Sequence, residues 1–530
     1  MSENSCKSSG FSLLSVDFAV ARPSPMPGCG AIRSTAVSHH PPATWTPVTS
    51  PLGPSDALRR MRDRAQTPRV ALVSAGVGGA NPWSRWSVVG TPSATRSRCL
   101  WDADLPTDAA RARASAIDFL REVCAPTMPP NAAPQQPPWM LPLKVLVLSY
   151  ELGRVLEPSP SPRRDGPGVP EQVSGSGRRH SDARVPLISC LELDSPLLHD
   201  SHTGRWWASD PASPEAAMLA RFGAELPATG GDWRLSAPAP TSSRAAFERR
   251  VARAVRLIHE GDVFQVNLSH DLAATFEGDH RAFFADLCDS ARPWFGAMVE
   301  WPPHADGAGG GVARPSTPVV LSASPELFLS FDPISRRVVT RPIKGTRPLG
   351  VEPSELMSSE KDRAELSMII DLMRNDLGRS CATGSVRVDE ARGLESHRVH
   401  HTVATVSGDL SPGKSVADLL EGSFPPGSIT GAPKVRAMQI IEELEGRARG
   451  VYCGSIALLD AAGRLSASVA IRTATLDGAP GSSGPRELVF PVGAGVVAES
   501  DPTGEWDETL AKAAALRALQ SSHAVAARAP

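Results

Sequence analysis

The chain has 530 residues, of which 41% are hydrophobic and 21% are charged, enough for one large folded core with extensions. Its net charge of -2 gives no electrostatic reason to expect nucleic acid or an anionic membrane as a partner. Eight cysteines are scattered without a Cys-x-x-Cys pair, and no apolar run is long enough to cross a bilayer. These features argue against a disulfide scaffold, a zinc site and a membrane protein, and they predict a cytoplasmic location.

The first half of the chain alternates stretches of low complexity with short apolar runs. Residues 1–65 are rich in Ser, Pro and Ala and are predicted to form a disordered tail. A folded N-terminal region is predicted over residues 66–235, with an early strand at Val70–Val73 and a helix over 107–125. Another strand is predicted at Leu143–Tyr150.

The second half, residues 240–522, has stronger periodicity and is predicted to be the catalytic region. Helices are predicted over residues 244–260, 358–379, 430–446 and 503–520. Strands are predicted between them at Val263–Leu268, Val319–Phe331, 385–388, Val399–Val406, Tyr452–Leu459, Ser466–Ala474 and Leu488–Val497. Because strands and helices mix without a strict strand–helix–strand alternation, the fold class is predicted to be α+β.

A lysine between a proline-fixed approach and a glycine marks the stretch Pro342–Arg347. The preceding residues have strand character, so Lys344 is predicted to lie at or just past a strand end, on a turn. A lysine among apolar neighbours can have its pKa lowered, and a neutral amine is a nucleophile. The common alternative for these residues alone is a surface lysine in a loop.

Paired carboxylates, glycine-broken strand ends and isolated cations recur in the second half. The carboxylates lie three residues apart on predicted helices, and carboxylates from two helices suit Mg²⁺, which keeps several waters. Glycine-broken strands can expose backbone N–H groups to an anion. Solvated helix faces, β-bulges and structural ion pairs are the alternatives. The residues in these groups are Asp362, Glu365, Glu505, Glu508, Gly345, Thr346, Gly493, Ala494, Gly495, Lys344, Arg472 and Lys512.

A series of motifs in the second half resembles the chorismate-utilising enzymes, which include anthranilate, aminodeoxychorismate and isochorismate synthases. The motifs follow the order of that family from about residue 245 to 517, whereas the first half matches more loosely, through Ser149–Arg154. The matching stretches are Gly261–Ser269, Ser324–Leu327, Pro342–Arg347, Glu360–Glu365, Arg374–Arg379, Gly431–Lys434, Arg436–Met438, Ile471–Ala474, Gly493–Gly495 and Glu505–Lys512.

The resemblance implies two stacked antiparallel β-sheets ringed by helices, with the active site between them. It implies that Glu365 and Glu508 bind Mg²⁺, that Asp362 and Glu505 act through bridging water, and that Glu326 is an acid/base residue. The residues that it places around chorismate are Gly345, Thr346, His401, Tyr452, Arg472, Gly493, Ala494, Gly495 and Lys512.

Two positions distinguish the branches of that family. Lys344 stands where anthranilate synthases usually have alanine, and Gln265 stands where isochorismate and salicylate synthases usually carry a lysine base. A glutamine cannot be a base, so direct hydration is disfavoured, and the chain is similar to the aminodeoxychorismate synthase branch. Lys344 is then expected to add covalently to chorismate. An anthranilate synthase component and a catalytically inactive homologue are the alternatives.

Ammonia for such a reaction needs a source. The sequence contains no Gly-x-Cys-x-Gly turn of a glutamine amidotransferase. The resemblance therefore implies a separate glutamine amidotransferase subunit as partner, with chorismate as substrate and Mg²⁺ as cofactor. Pro-rich insertions over residues 157–185, 302–318 and 478–486 depart from the family pattern.

Overall fold

The computed structural model describes residues 44–61, 67–74, 84–130, 137–157, 185–221, 232–302, 317–396, 399–478 and 484–526. The helices are α1 (Pro54–Arg60), α2 (Ala109–Cys124), α3 (Leu152–Leu156), α4 (Pro214–Arg221), α5 (Arg244–His259), α6 (His280–Ala291), α7 (Pro353–Ser358), α8 (Glu360–Gly378), α9 (Val416–Ser423), α10 (Lys434–Glu445), α11 (Pro502–Ala511) and α12 (Ala514–Ala526).

The strands are β1 (Thr46–Val48), β2 (Val70–Val73), β3 (Trp86–Pro92), β4 (Arg98–Leu100), β5 (Lys144–Leu148), β6 (Ile188–Asp200), β7 (Arg205–Ala208), β8 (Trp233–Leu235), β9 (Ala239–Pro240), β10 (Gln265–Gly278), β11 (Phe295–Val299), β12 (Val319–Ser324), β13 (Leu327–Phe331), β14 (Arg337–Arg341), β15 (Ile343–Pro348), β16 (Arg387–Ser396), β17 (Val399–Asp409), β18 (Gly431–Ala432), β19 (Ser455–Leu459), β20 (Leu465–Val469), β21 (Thr473–Leu476) and β22 (Arg486–Val496).

All the described strand pairs are antiparallel, and they build two sheets. The first sheet runs in the order β1–β7–β6–β3–β2–β11–β12–β21–β22–β10, and β8, β9 and β18 pair with β10. The second sheet runs β4–β6–β5–β19–β20–β13–β14–β17–β16, with β15 following β14 along β17.

Strand β6 belongs to both sheets and joins them. Its beginning pairs with β5 in the second sheet, and its end pairs with β3 in the first. Within the part that pairs with β3, at a register shift, Ser195 has a φ of 43°, in the left-handed region that non-glycine residues seldom adopt. An irregularity of this kind bends a strand, and it lies close to the point where β6 passes from one sheet to the other.

The alternation of side chains along each strand divides the core into layers. On β5, Val145 and Val147 face a cluster between the two sheets, whereas Leu146 and Leu148 face a cluster shared with helices. Helices α2, α5, α8, α9 and α10 contribute to the helix-covered cluster of the second sheet, and α1, α4, α6 and α12 to that of the first. The result is two stacked sheets with helices outside, as the sequence resemblance implied.

The structure corrects several predictions about local structure. The tail predicted to be disordered is ordered over residues 44–61, where β1 pairs with β7 and Leu58 of α1 is fully buried. The helix predicted over 430–446 begins at Lys434, after Pro433, which has an extended conformation and is the N-cap residue. The helix predicted over 503–520 is two helices, α11 and α12.

Strands from the two predicted regions lie in the same sheets, since β5 pairs with β19 and β2 pairs with β11.

Most residues of the three Pro-rich insertions lie outside the described residues. Among the described residues, no helix has the length and apolar character needed to cross a bilayer. The described cysteines are all free thiols.

Protonation of His270 is expected to loosen the contact between β10 and α11. His270 is 1% exposed, stacks on Trp506 with ring centroids 4.6 Å apart, and its Nε2 lies 2.8 Å from Thr509 Oγ1. Burial lowers the pKa of His270 to about 4. The stability from keeping this ring neutral is therefore present above pH 6.5 and lost as the pH falls towards 4.

When the pH falls from 7 to 5, we expect the free energy of unfolding to decrease in both proteins. The decrease should be about 1–2 kcal/mol smaller for His270→Gln than for the wild type, because glutamine does not take up a proton. Thermal and denaturant unfolding at the two pH values measure the difference. Identical pH dependence in the two proteins would contradict this assignment.

Candidate functional site

A buried acid lies at the junction of β12 and β13. Glu326 is 4% exposed, and Ser428 Oγ donates a hydrogen bond to its Oε1 at 2.5 Å. Burial raises the pKa of Glu326 to about 7, against the opposing effects of the Ser428 hydrogen bond and the charge of Lys344. Such a carboxyl group can both give and take a proton near neutral pH.

Lys344 lies inside strand β15, not on a turn past a strand end as the sequence predicted. It pairs with Thr402 of β17, and a register shift follows at Gly345, whose φ is 73°. Burial lowers the pKa of Lys344, against the charge of Glu365. The sequence predicted a turn and apolar neighbours for Lys344, whereas the structure places it within a strand and near charged groups that include Glu365 and Glu326.

The bulge at Gly345 brings the backbone close to side chains of α7 and α8. A Cβ atom at this position would lie 2.9 Å from Leu356 and 3.0 Å from the carboxylate carbon of Asp362. A residue other than glycine would be strained by this positive φ and would displace the Leu356 or Asp362 side chain. The bulge also aims Thr346 at β17, where its Oγ1 lies 2.9 Å from His401 Nδ1.

Strand β22 faces Lys344 with a glycine. A Cβ atom at Gly495 would overlap the Nε2 atom of Gln265 and would lie 3.4 Å from Lys344 Nζ. The amide of Gln265 and the amine of Lys344 therefore approach the same small space. Gln265 is 1% exposed, and its Oε1 has no hydrogen-bond partner among the described residues.

Gly493, two residues before Gly495 on β22, faces a second group of polar side chains. A Cβ atom there would lie 2.8 Å from Tyr452 Oη and 2.9 Å from Asn267 Oδ1, which is also unpartnered among the described residues. Lys512 Nζ donates a hydrogen bond to the Gly493 carbonyl at 2.7 Å. The glycine-broken strand is thus lined by polar side chains and by a cation.

Arg472 approaches Glu326 from the segment between β20 and β21. Its φ is 52°, and its carbonyl accepts a hydrogen bond from the Ala323 N–H. In the part of the chain that the structure describes, no side-chain hydrogen bond or ion pair holds the guanidinium. Burial lowers the pKa of Arg472. A half-buried, unpaired guanidinium of this kind fits an anionic ligand.

The acidic pairs on α8 and α11 are close enough to influence one another. Burial raises the pKa of Glu365, and the charges of Glu508 and Asp362 raise it further. Burial also raises the pKa of Glu505, against a hydrogen bond from Ser500 and with a further contribution from Glu508. In Glu508, the 2.8 Å ion pair with Lys512 and other cations outweigh burial and lower the pKa.

These carboxylates are compatible with a magnesium ion. All of their donors are oxygen atoms, and Glu505 Oε2 is buried without a hydrogen-bond partner among the described residues. In the described part of the chain, no three acidic, histidine or cysteine side chains are already arranged to hold a metal. The metal-binding role of Glu365, Glu508, Asp362 and Glu505 stays a prediction.

Sequence reasoning missed two polar residues of this site, Ser428 and Asn267. Ser428 lies in a 3-10 turn, Gly427–Ile429, one residue before the Gly431–Lys434 motif. Asn267 lies two residues after Gln265 on the same face of β10. The alternation of side chains along the strand could have indicated that Asn267 shares a face with Gln265. No local pattern in the sequence places Ser428 next to Glu326.

A buried ion pair supports the Asn267 side of the site. Arg449 and Glu445 are each 1% exposed and lie 2.6 Å apart. Arg449 also donates a hydrogen bond to the Asn267 carbonyl at 2.8 Å, and Glu151 accepts one from the Arg449 N–H at 2.7 Å. The Ser149–Arg154 motif therefore holds the segment that precedes Tyr452.

The arrangement combines three chemical capabilities in one place. Arg472 and Lys512 can hold carboxylates, Lys344 can act as a nucleophile when neutral, and Glu326 can move protons. The structure brings these residues together with the glycine-broken strand β22.

Comparison with known proteins relates this arrangement to several characterised sequences. The family model described as "chorismate binding enzyme" matches residues 93–518. Aminodeoxychorismate synthase component 1 of Klebsiella aerogenes is 35% identical over 376 residues, covering 69% of this chain and 74% of that protein. Anthranilate synthase component 1 of Aquifex aeolicus is 38% identical over 282 residues, covering 52% of each chain.

Solved structures match the fold over most of the chain. Anthranilate synthase component I from Streptococcus pneumoniae TIGR4 aligns with a TM-score of 0.59 and 25% identity, covering 82% of this chain and 93% of that one. MenF, the menaquinone-specific isochorismate synthase from Escherichia coli, aligns with a TM-score of 0.58 and 16% identity, covering 90% and 93%. The α+β fold predicted from the sequence is confirmed.

We expect Gly495→Ala to change stability little, because the added Cβ displaces only the end of the flexible Gln265 side chain. Gly454→Ala places its Cβ against the backbone oxygen of Leu148 and is expected to cost on the order of 3 kcal/mol. Thermal unfolding of both variants and of Gly350→Ala, where the Cβ meets nothing within 4 Å, measures the contrast. Equal losses for Gly495→Ala and Gly454→Ala would refute this distinction.

Proposed function

Because the chain belongs to the chorismate-binding enzyme family, we propose that it is the chorismate-converting component of an aminodeoxychorismate synthase. It converts chorismate and ammonia to 4-amino-4-deoxychorismate, a precursor of 4-aminobenzoate in folate synthesis. The similarity to aminodeoxychorismate synthase components, which the motifs predicted, is confirmed.

The observation that carries this proposal is the amine of Lys344 opposite Gly495 and Gln265. Burial favours its neutral, nucleophilic form. The adjacent Gln265 has a carboxamide, which cannot remove a proton from water. Addition of the Lys344 amine is therefore favoured at this position over direct hydration.

In the first step, the neutral Lys344 nitrogen attacks C2 of chorismate and becomes a positively charged secondary ammonium group. The two ring double bonds shift, the C4–oxygen bond breaks, and the departing hydroxide takes a proton from Glu326 to leave as water. A carboxyl group with a pKa of about 7 supplies that proton near neutral pH.

In the second step, ammonia attacks C4 and the double bonds return to their original places. The C2–nitrogen bond breaks, Lys344 departs as a neutral amine, and the new ammonium group at C4 loses a proton. Glu326 can carry that proton, since it was left as a carboxylate by the first step. The net change replaces the C4 hydroxyl with an amino group and releases water.

The remaining site residues hold the substrate. Arg472 and Tyr452 bind one carboxylate, and the backbone of Gly493–Gly495 with Lys512 binds another. Thr346 and His401 form a wall of the ring site. Magnesium, when held by Glu365 and Glu508 with Asp362 and Glu505 behind bridging water, would supply positive charge to a substrate carboxylate.

Ammonia is supplied by a separate glutamine amidotransferase subunit in this proposal. The sequence has no Gly-x-Cys-x-Gly nucleophile turn of its own. The isolated chain is expected to use ammonium salts and to use glutamine only with that partner.

Anthranilate synthesis is the second candidate, because anthranilate synthase components match at similar identity. It would use the same ammonia chemistry at C2, with loss of pyruvate. An inactive homologue is the third, but Glu326, Lys344 and Arg472 all carry the side chains that catalysis requires.

Lys344→Ala is expected to abolish formation of 4-amino-4-deoxychorismate, or to divert chorismate to anthranilate-type chemistry, because the C2 nucleophile is missing. The assay contains purified protein, chorismate, Mg²⁺ and ammonium at mildly alkaline pH, with products separated by mass and fluorescence. Lys414→Ala, on the surface at an exposed ion pair, is the matched control. Unchanged output from Lys344→Ala would rule out the nucleophile role, and anthranilate from the wild type would favour the second candidate.

Glu365→Gln and Glu508→Gln are each expected to lower activity at least about 100-fold, because each replaces a carboxylate that is proposed to bind Mg²⁺ with a neutral amide. Chelator treatment should abolish wild-type activity, and added Mg²⁺ should restore it. Chorismate should raise the unfolding temperature of the wild type only with Mg²⁺ present. Glu360→Gln, exposed on the same helix, is the control. Full activity after chelation would contradict magnesium dependence.

A further inference from the structure

Ser428 and Glu326 form a buried pair that no motif in the sequence predicted. The two residues are 7% and 4% exposed, and the Ser428 hydroxyl donates to Glu326 Oε1 at 2.5 Å. They are 102 residues apart in the chain, so only tertiary structure brings them together. A hydrogen bond to one carboxylate oxygen fixes the orientation of the whole group.

The turn that carries Ser428 is held tightly against α8. A Cβ atom at Gly427 would lie 2.7 Å from Leu372 Cγ and from the Met373 methyl carbon. Thr430 Oγ1 donates hydrogen bonds to the carbonyls of Pro426 at 3.3 Å and Gly427 at 3.2 Å. The turn therefore has little freedom to move away from Glu326.

A buried ion pair fixes the two ends of this turn. Lys434 Nζ, at the start of α10, lies 2.7 Å from Asp376 Oδ2 on α8 and donates to the Ser423 carbonyl at the end of α9 at 2.8 Å. Lys434 and Asp376 are 8% and 5% exposed. Both belong to motifs, Gly431–Lys434 and Arg374–Arg379, that the proposed reaction leaves without a role.

We propose that Ser428 is a positioning residue that orients the Glu326 carboxyl group for proton transfer, and that the Lys434–Asp376 pair holds its turn in place. The proposal rests on the acid/base role of Glu326 in the proposed function. It assigns a role to the Arg374–Arg379 and Gly431–Lys434 motifs through Asp376 and Lys434, which bind each other and not the proposed substrate.

Several groups face Glu326 from other elements. Lys344 on β15 and Arg472 before β21 are the facing cations, and the Ile343 N–H donates a further hydrogen bond to the carboxylate. The Ser428 hydroxyl favours the ionised form, so its loss should raise the pKa of Glu326. Glu326 should then stay protonated to higher pH, but in a less fixed orientation.

The test compares Ser428→Ala with Ser428→Thr, which keeps the hydroxyl, and with Ser428→Cys, a weaker donor of similar size. Ser407→Ala is the control, because Ser407 is fully buried and its hydroxyl has no partner among the described residues. The readout is chorismate consumption between pH 6 and 9 with the concentration of free ammonia held constant. Thermal unfolding reports whether each variant is folded.

For Ser428→Ala we expect kcat to fall about 10-fold, with the KM for chorismate within about twofold of wild type. The alkaline limb of the pH profile should move up by about 0.5–1 unit, because that limb reports the acid. Ser428→Thr should restore both features, Ser428→Cys should be intermediate, and Ser407→Ala should match the wild type. Ser428→Ala should cause no further loss in a Glu326→Gln background.

A Ser428→Ala profile with the wild-type shape, no rescue by Ser428→Thr, or an additive loss with Glu326→Gln would overturn the proposal. Chorismate consumption does not depend on which product forms. If the wild type makes anthranilate, the proposed function fails, but the link between Ser428 and Glu326 is still measured by the same profiles.

Discussion

The register of β10 against β22 is the constraint on which the site depends. It places Asn267 opposite Gly495 and Ser269 opposite Gly493, so two glycines face the polar side chains of β10 and the amine of Lys344. A slip of one residue would turn Ala494 to that face and the glycines away from it. The long pairing of these strands, together with the contact between His270 and α11, fixes this register.

Burial and charge act in opposition throughout the site. Burial alone would favour a neutral Lys344 and a protonated Glu326, whereas their mutual attraction favours the ionised forms. The balance leaves Glu326 with a pKa near 7 and lowers the pKa of Lys344. Opposed effects of burial and charge on neighbouring groups are typical of functional sites.

Buried ion pairs around the site hold segments that lack regular structure. Arg449 with Glu445 secures the segment before Tyr452, and Lys434 with Asp376 secures the turn of Ser428. Such pairs are costly to bury and add little net stability, but removal of one partner leaves an unpaired charge. Their value here is geometric, because they fix loops that strand pairing does not control.

The sequence by itself determined the elements and the identity of most polar groups. The helix predicted over 358–379 and the acidic pairs follow from local spacing, the mixing of strands and helices indicated the α+β fold, and the motifs indicated the family. Local patterns could not place Ser428 against Glu326, show Lys344 within a strand, or divide the last helix into α11 and α12. Those features depend on contacts between residues that are distant in the chain. Hydrophobic periodicity indicates which face of a helix or strand is buried, but it does not indicate which residues pack against that face.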